Sequence, residues 1–126
     1  MANATTPAVP EAGRSPAAPD TATVRTMARR LLAAGAAPPP RDELAAMTAV
    51  LRENIARLIP TVEALAETLP EDDAPRACAL ACLGEARMRL RLGDGDTDAL
   101  RLSVAVRMAR TAGALADHHQ TLRRTP

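Results

Sequence analysis

Leu44, Met47, Leu51, Ile55, Leu58, Val62, Leu65 and Leu69 follow one another at steps of three or four residues without a miss. Only an α-helix brings such positions onto one face, so the register demands a helix of about seven turns with one buried side. Pro60 falls inside it. A proline there removes a donor and clashes with the carbonyl four residues back, that of Ala56, at about 3 kcal/mol or more. The apolar phase nevertheless continues straight across it. The reading is one long helix over about 42–69, kinked near Ala56–Pro60, and not two independent helices. Asp42 and Glu43 complement the positive pole at its start, and Pro70 ends it.

Proline, glycine and acidic residues punctuate the remainder. Residues 1–19 hold four prolines and a single valine. That is too little apolar surface to offset ordering entropy, so a disordered tail is expected. A helix over about 21–34 can be capped by Asp20 or Thr21 and ended by Gly35. Its apolar face carries Val24, Met27, Leu31 and Leu32. Pro38-Pro39-Pro40 then enforces an extended linker. Beyond Pro70, Asp73 can cap a third helix over about 74–92, with Pro75 in its first turn, where the missing N–H costs little. Ala79, Leu80, Leu83, Ala86 and Leu90 form its expected buried stripe, and Gly93 its stop. The loop Gly93-Asp94-Gly95-Asp96 is short enough to make the third and fourth helices antiparallel neighbours.

The fourth helix is expected over about 97–122. Leu100, Val104, Met108, Thr111, Leu115 and Leu122 make one stripe, and Leu102, Val106, Ala109, Gly113 and Ala116 a second beside it. Two stripes on one helix mean more than one neighbour, which places it centrally. The expected fold is all-α: a four-helix, bundle-like domain over 20–126 behind a disordered tail over 1–19. Leu51→Asp or Leu83→Asp is expected to unfold it.

The 126 residues include 29 alanines and 16 arginines but no lysine and no aromatic residue. Without Trp, Tyr or Phe nothing can stack on a base or a flavin, and no aromatic cage can form. Without Lys there is neither a Schiff base nor a P-loop lysine. The net charge of +1 is too near neutral for a dedicated nucleic-acid or membrane-surface protein. No signal peptide or bilayer-length apolar run is apparent, so a cytoplasmic protein with both cysteines reduced is expected. The Ala- and Arg-heavy composition resembles that of a GC-rich genome, which lowers the functional weight of any single Ala or Arg.

Candidate chemistries meet specific obstacles. Asp94, Asp96 and Asp98 alternate like the first ligands of a calcium loop. The sixth position is Ala99 where glycine is needed, and the twelfth is Ala105 where glutamate is needed. Cys78 and Cys82 share a helical face, but His118 and His119 point about 100° apart and do not readily complete one metal site. The cysteines read as small buried hydrophobes, and the spacing disfavours a disulfide. Asp117-His118-His119 suits a solvated helix end as well as acid–base work. Ser15 and Ser103 offer no nucleophile elbow, and no Glu precedes a His by three residues, which removes the helical di-iron signature. Arg87, Arg89 and Arg91 sit where they complement a helix C-terminus, and Glu85 lies four residues before Arg89. No nucleic-acid partner, cofactor or metal is expected.

Three blocks are distinctive: LIPTVEALA from Leu58, LPEDDAPRACALA from Leu69 and GEARMRL from Gly84. With the later SVAVRMARTAGALADHHQTL, they resemble a family of small uncharacterised actinobacterial proteins, common in streptomycetes and labelled natural-product-biosynthesis proteins of unknown function. The resemblance spans roughly residues 41–122. It marks Pro60, Glu63, Pro70, Asp73, Pro75, Arg76, Gly84, Glu85, Arg87, Asp117 and His118 as motif residues; His119 departs from it, an aromatic residue being usual there.

The family carries no activity to transfer, and structural roles account for most of the motif. Pro60 kinks, Pro70 stops, Pro75 starts and Asp73 caps. Gly84 costs about 1 kcal/mol against alanine in mid-helix, so a close helix crossing is expected there. Glu85 is expected to tie helices together through Arg76 or Arg107. The functional expectation is a non-enzymatic accessory protein with a protein partner, self or heterologous, and self-association through leftover apolar helix surface. One alternative is a small-molecule binder or minor enzyme of secondary metabolism, with its pocket near Pro60. A transcriptional accessory is the other.

Overall fold

Side-chain caps start three of the four helices; the helix after Pro40 has none. The computed structural model describes residues 18–124. Within them lie α1 (Thr21–Leu32), α2 (Arg41–Glu67), α3 (Ala74–Arg89) and α4 (Asp98–Arg124), with no strand among the described residues. The fold is an all-α helical bundle. Residues 1–17, most of the expected disordered tail, lie outside the described residues. The Asp20 carboxylate accepts from the Thr23 backbone N–H at 3.0 Å and from its hydroxyl at 2.6 Å. Asp73 accepts from the Arg76 N–H at 2.9 Å, and the Thr97 hydroxyl from the Leu100 N–H at 3.1 Å. Each bond satisfies an amide that the helix itself leaves free.

α2 runs unbroken across Pro60, as the apolar register requires. The proline is exposed, so its ring lies away from the core. Three helices end earlier than the periodicity suggests. α2 stops at Glu67, and Thr68 and Leu69 follow through single-turn bonds. α1 stops at Leu32 because Ala33 turns extended, and Gly35 occupies the following turn at φ +75°. α3 stops at Arg89, after which Leu90 to Leu92 wind through single-turn bonds. There the Arg52 guanidinium of α2 takes the Leu90 and Leu92 carbonyls and the Asp94 carboxylate at 2.5–3.3 Å. Gly95 stands at φ +93°, and a Cβ on it would come within 2.7 Å of the Leu100 Cβ, so this turn requires glycine.

α4 is the central element. It packs on α1, α2 and α3; α2 also meets α3 and touches α1, whereas α1 and α3 share no contact. The core joins Val24 of α1 to Leu51, Ile55, Leu58 and Val62 of α2, Leu83 of α3, and Met108 and Leu115 of α4, all fully buried. Alanines 105, 109, 112 and 116 fill the space between these on α4. Three expected stripe members lie outside it. Leu32, the last residue of α1, is 40% exposed. Leu80 is 39% exposed and Leu100 50% exposed, because each sits at the rim of its stripe and rotates off the contact.

With lysine absent, arginine supplies every ion pair between elements. Arg25–Asp117 joins α1 to α4, Arg30–Glu43 joins α1 to α2, Arg41–Asp98 joins α2 to α4, and Glu63–Arg87 joins α2 to α3.

Candidate functional site

The motif residues do not converge on one pocket. Asp73, Pro75 and Arg76 build the α2–α3 turn: Asp73 caps α3, and the Arg76 guanidinium donates to the Leu69 carbonyl at 2.8 Å, closing the end of α2. Glu63 and Arg87 clamp α2 to α3 at 2.8 Å. Asp117 belongs to a different place, the α1–α4 seam, where it holds Arg25. His118 is half-buried beside it.

Four expectations require correction. Glu85 ties no helices together; its partner is Arg89 of the same helix at 3.9 Å, and Arg76 is occupied with Leu69. Gly84 marks no close crossing, since it is exposed and a Cβ there would meet nothing within 4 Å. Cys78 is exposed and not a buried hydrophobe, because it lies on the outer side of its helix. Three clefts formed by the helices lie against α1 and at the Pro38-Pro39 linker, and Pro60 lines none of these three.

The largest of the three clefts, about 420 Å³, opens where α1 begins and α4 ends. Arg25, His119, Gln120, Arg123 and Arg124 line it, and among the described residues no carboxylate does. Arg25 divides its guanidinium between Asp117 at 2.8 Å and the Gln120 carbonyl oxygen at 3.3 Å. Burial, then the charge of Arg123, push the His119 imidazole below its ordinary pKa. Sequence reading singled out neither Arg25 nor Gln120. Both are single turns of polar surface until the antiparallel approach of α1 and α4 brings them together.

The second feature is the outer face of α3. Ala77, Leu80, Ala81, Gly84 and Met88 are all exposed at helical spacing, Met88 at 68%. Cys78 is exposed there too, whereas Cys82 is half-buried, and burial with Glu85 nearby pushes its thiol pKa up. A raised pKa makes it a poor nucleophile. Among the described residues no group of three or more His, Cys, Asp or Glu is placed to hold a metal ion. The acids of the Asp94-Asp96-Asp98 run serve arginines instead: Asp94 accepts from Arg52, and Asp98 from Arg41 and Arg101. No helix among the described residues is long and apolar enough to cross a membrane.

The sequence profile of a family of unknown function, DUF6415, matches residues 22–124. The chain belongs to the DUF6415 family. The match starts at the second residue of α1 and ends with α4, so the DUF6415 unit is the whole four-helix bundle and takes in α1, which the motif blocks did not reach. It includes both the α1–α4 cleft and the α3 face. No curated protein matches the chain, and no solved structure does.

Proposed function

We propose that this DUF6415 protein is a non-enzymatic accessory protein that works through protein–protein contact, and that its contact surface is the outer face of α3. The observation that carries the reading is the open, nearly uncharged strip Ala77-Leu80-Ala81-Gly84-Met88. Gly84 weakens the helix and relieves no contact within the chain. A glycine so placed lets a second backbone approach closely.

The occupant is a second copy of the chain. Glu71 and Asp72, exposed, precede α3; Arg89 and Arg91 close its far end. Glu71, Asp72 and Arg91 make no ion pair among the described residues. An antiparallel pairing with Ala81 on the two-fold axis sets the acidic turn opposite Arg89 and Arg91 of the partner subunit. It also sets Gly84 against Cys78 of the partner subunit. The same patch then serves both copies, as a two-fold interface demands. One helix pair buries less than the roughly 1,200 Å² of stable interfaces, so association falls near the micromolar range. The proposed setting is cytoplasmic and, on the resemblance of the motif blocks, natural-product biosynthesis.

Sedimentation with interference optics tests this, since a chain without aromatic residues is nearly invisible at 280 nm. A monomer–dimer equilibrium is expected at tens of micromolar (about the range set above). Met88→Asp abolishes it at unchanged thermal stability, Arg91→Glu weakens it, and Arg91→Glu with Glu71→Arg restores it. A chain that stays monomeric throughout, or dimers indifferent to Met88→Asp, overturns the reading.

A further inference from the structure

The α1–α4 cleft lies away from the α3 face, and no contact joins α1 to α3. Its chemistry is different in kind. Three guanidinium groups, those of Arg25, Arg123 and Arg124, line about 420 Å³ of open space together with His119 and Gln120. Among the described residues only Arg25 of the three is ion-paired, to Asp117. Arg123 and Arg124 are exposed and form no ion pair among the described residues. The positive pole of α1 and the negative pole of α4 meet at this end of the bundle and oppose each other. Side chains therefore set the field, and they leave it positive. The volume falls within the range of small-molecule sites.

We propose that this cleft binds a small phosphorylated molecule, with the phosphoryl group held between Arg123, Arg124 and the free edge of Arg25. Two uncompensated guanidiniums call for more than one negative charge on a compact group. A phosphoryl group carries nearly two charges on oxygens that accept from several arginines at once, whereas a carboxylate carries one. The Gln120 side-chain oxygen accepts from Arg25 and helps to hold that guanidinium at the rim of the cleft. The organic part of the ligand rests on aliphatic stems, because the chain has no ring to stack on it.

His119 reports on occupancy. The charged groups that line the cleft with it are Arg25 from α1 and Arg123 and Arg124 from its own helix, with Asp117 beyond Arg25; the Asp20 carboxylate at the start of α1 is held by Thr23. All those lining the cleft are cationic; burial, and then the charge of Arg123, disfavours the imidazolium. A bound dianion reverses that field, so it raises the His119 pKa, and by reciprocity it binds more tightly as pH falls.

The test is a titration of the full chain with pyrophosphate, following the His119 ring signals by NMR at constant ionic strength. Saturable binding with a rise in the His119 pKa is expected, while His118 moves less. Arg123→Gln with Arg124→Gln weakens binding about tenfold or more at unchanged melting temperature, since both side chains are exposed. Met88→Asp leaves it intact, so failure here and failure of the α3 reading are separable. Equal binding by wild type and the double variant overturns the site. A response to succinate as large as that to pyrophosphate overturns the phosphoryl assignment.

Discussion

Arg25 Nη1 and Asp117 Oδ1 lie 2.8 Å apart, although 92 residues of chain separate them. The pair crosses the seam between α1 and α4 at the rim of the arginine-lined cleft. Both side chains are substantially exposed, at 35% and 68%, so the attraction is screened and contributes at most about 1 kcal/mol. Asp117→Ala is accordingly expected to shift the denaturation midpoint only slightly. It also releases Arg25, so pyrophosphate affinity rises. A large loss of stability in chemical denaturation contradicts this account of the seam.

Asn54 matters more than any surface pair. It is 3% exposed; its Oδ1 accepts the Asp20 N–H at 2.7 Å, and its Nδ2 donates to the Val50 carbonyl at 3.0 Å. Asn54→Ala leaves the Asp20 amide without its partner at the start of α1, at a cost of about 1–3 kcal/mol. Hydrogen exchange locates the effect: the Asp20, Thr23 and Val24 amides exchange faster, while those of central α4 follow only the global loss.

Gly84→Ala stabilises the monomer. The position is helical and exposed, and the added Cβ meets open space. The gain expected from helix propensity is about 1 kcal/mol, read as a higher midpoint in urea. Under the α3 reading the same substitution weakens self-association, so stability and dimerisation move in opposite directions.

Leu58 and Leu100 look alike in a helical-wheel reading but differ in the bundle. Leu58 is fully buried and Leu100 is 50% exposed. Leu58→Ala is expected to cost about 2–5 kcal/mol, and Leu100→Ala about 0.5 kcal/mol or less. Equilibrium denaturation of the two variants side by side decides it.

Acid weakens the fold in two stages. Burial and Arg123 hold the His119 pKa below the ordinary imidazole value, so the unfolded chain takes up the proton more readily. Its contribution is full above about pH 6.5 and declines as pH falls below that value. The Asp20 carboxyl, through its bonds to Thr23, and the Glu43 carboxyl, beside Arg30, also lie below their usual values. Their contributions are present above the ordinary carboxylate range and lost as pH falls below about 4. Thermal melts from pH 8 to 3 check both stages; His119→Gln flattens the first and leaves the second.

What the sequence by itself determined is local. The register from Leu44 to Leu69 fixed a single helix through Pro60, because spacing along the chain alone decides which residues share a helix face. Asp20 and Asp73 marked two helix starts, since a capping bond reaches only three residues ahead. The double stripe on α4 gave its central place. The tertiary structure decided which rim residues are buried, leaving Leu80 and Leu100 outside, because exposure depends on a neighbour's position and not on the helix's own pattern. It also overruled the local readings of Gly84 and Glu85. Asn54 left a faint trace, a polar residue beside the apolar register, but its partner Asp20 did not. The cationic cleft left none: Arg25 and Arg123 become neighbours only when α1 folds back antiparallel on α4, and charge acts through space rather than along the chain.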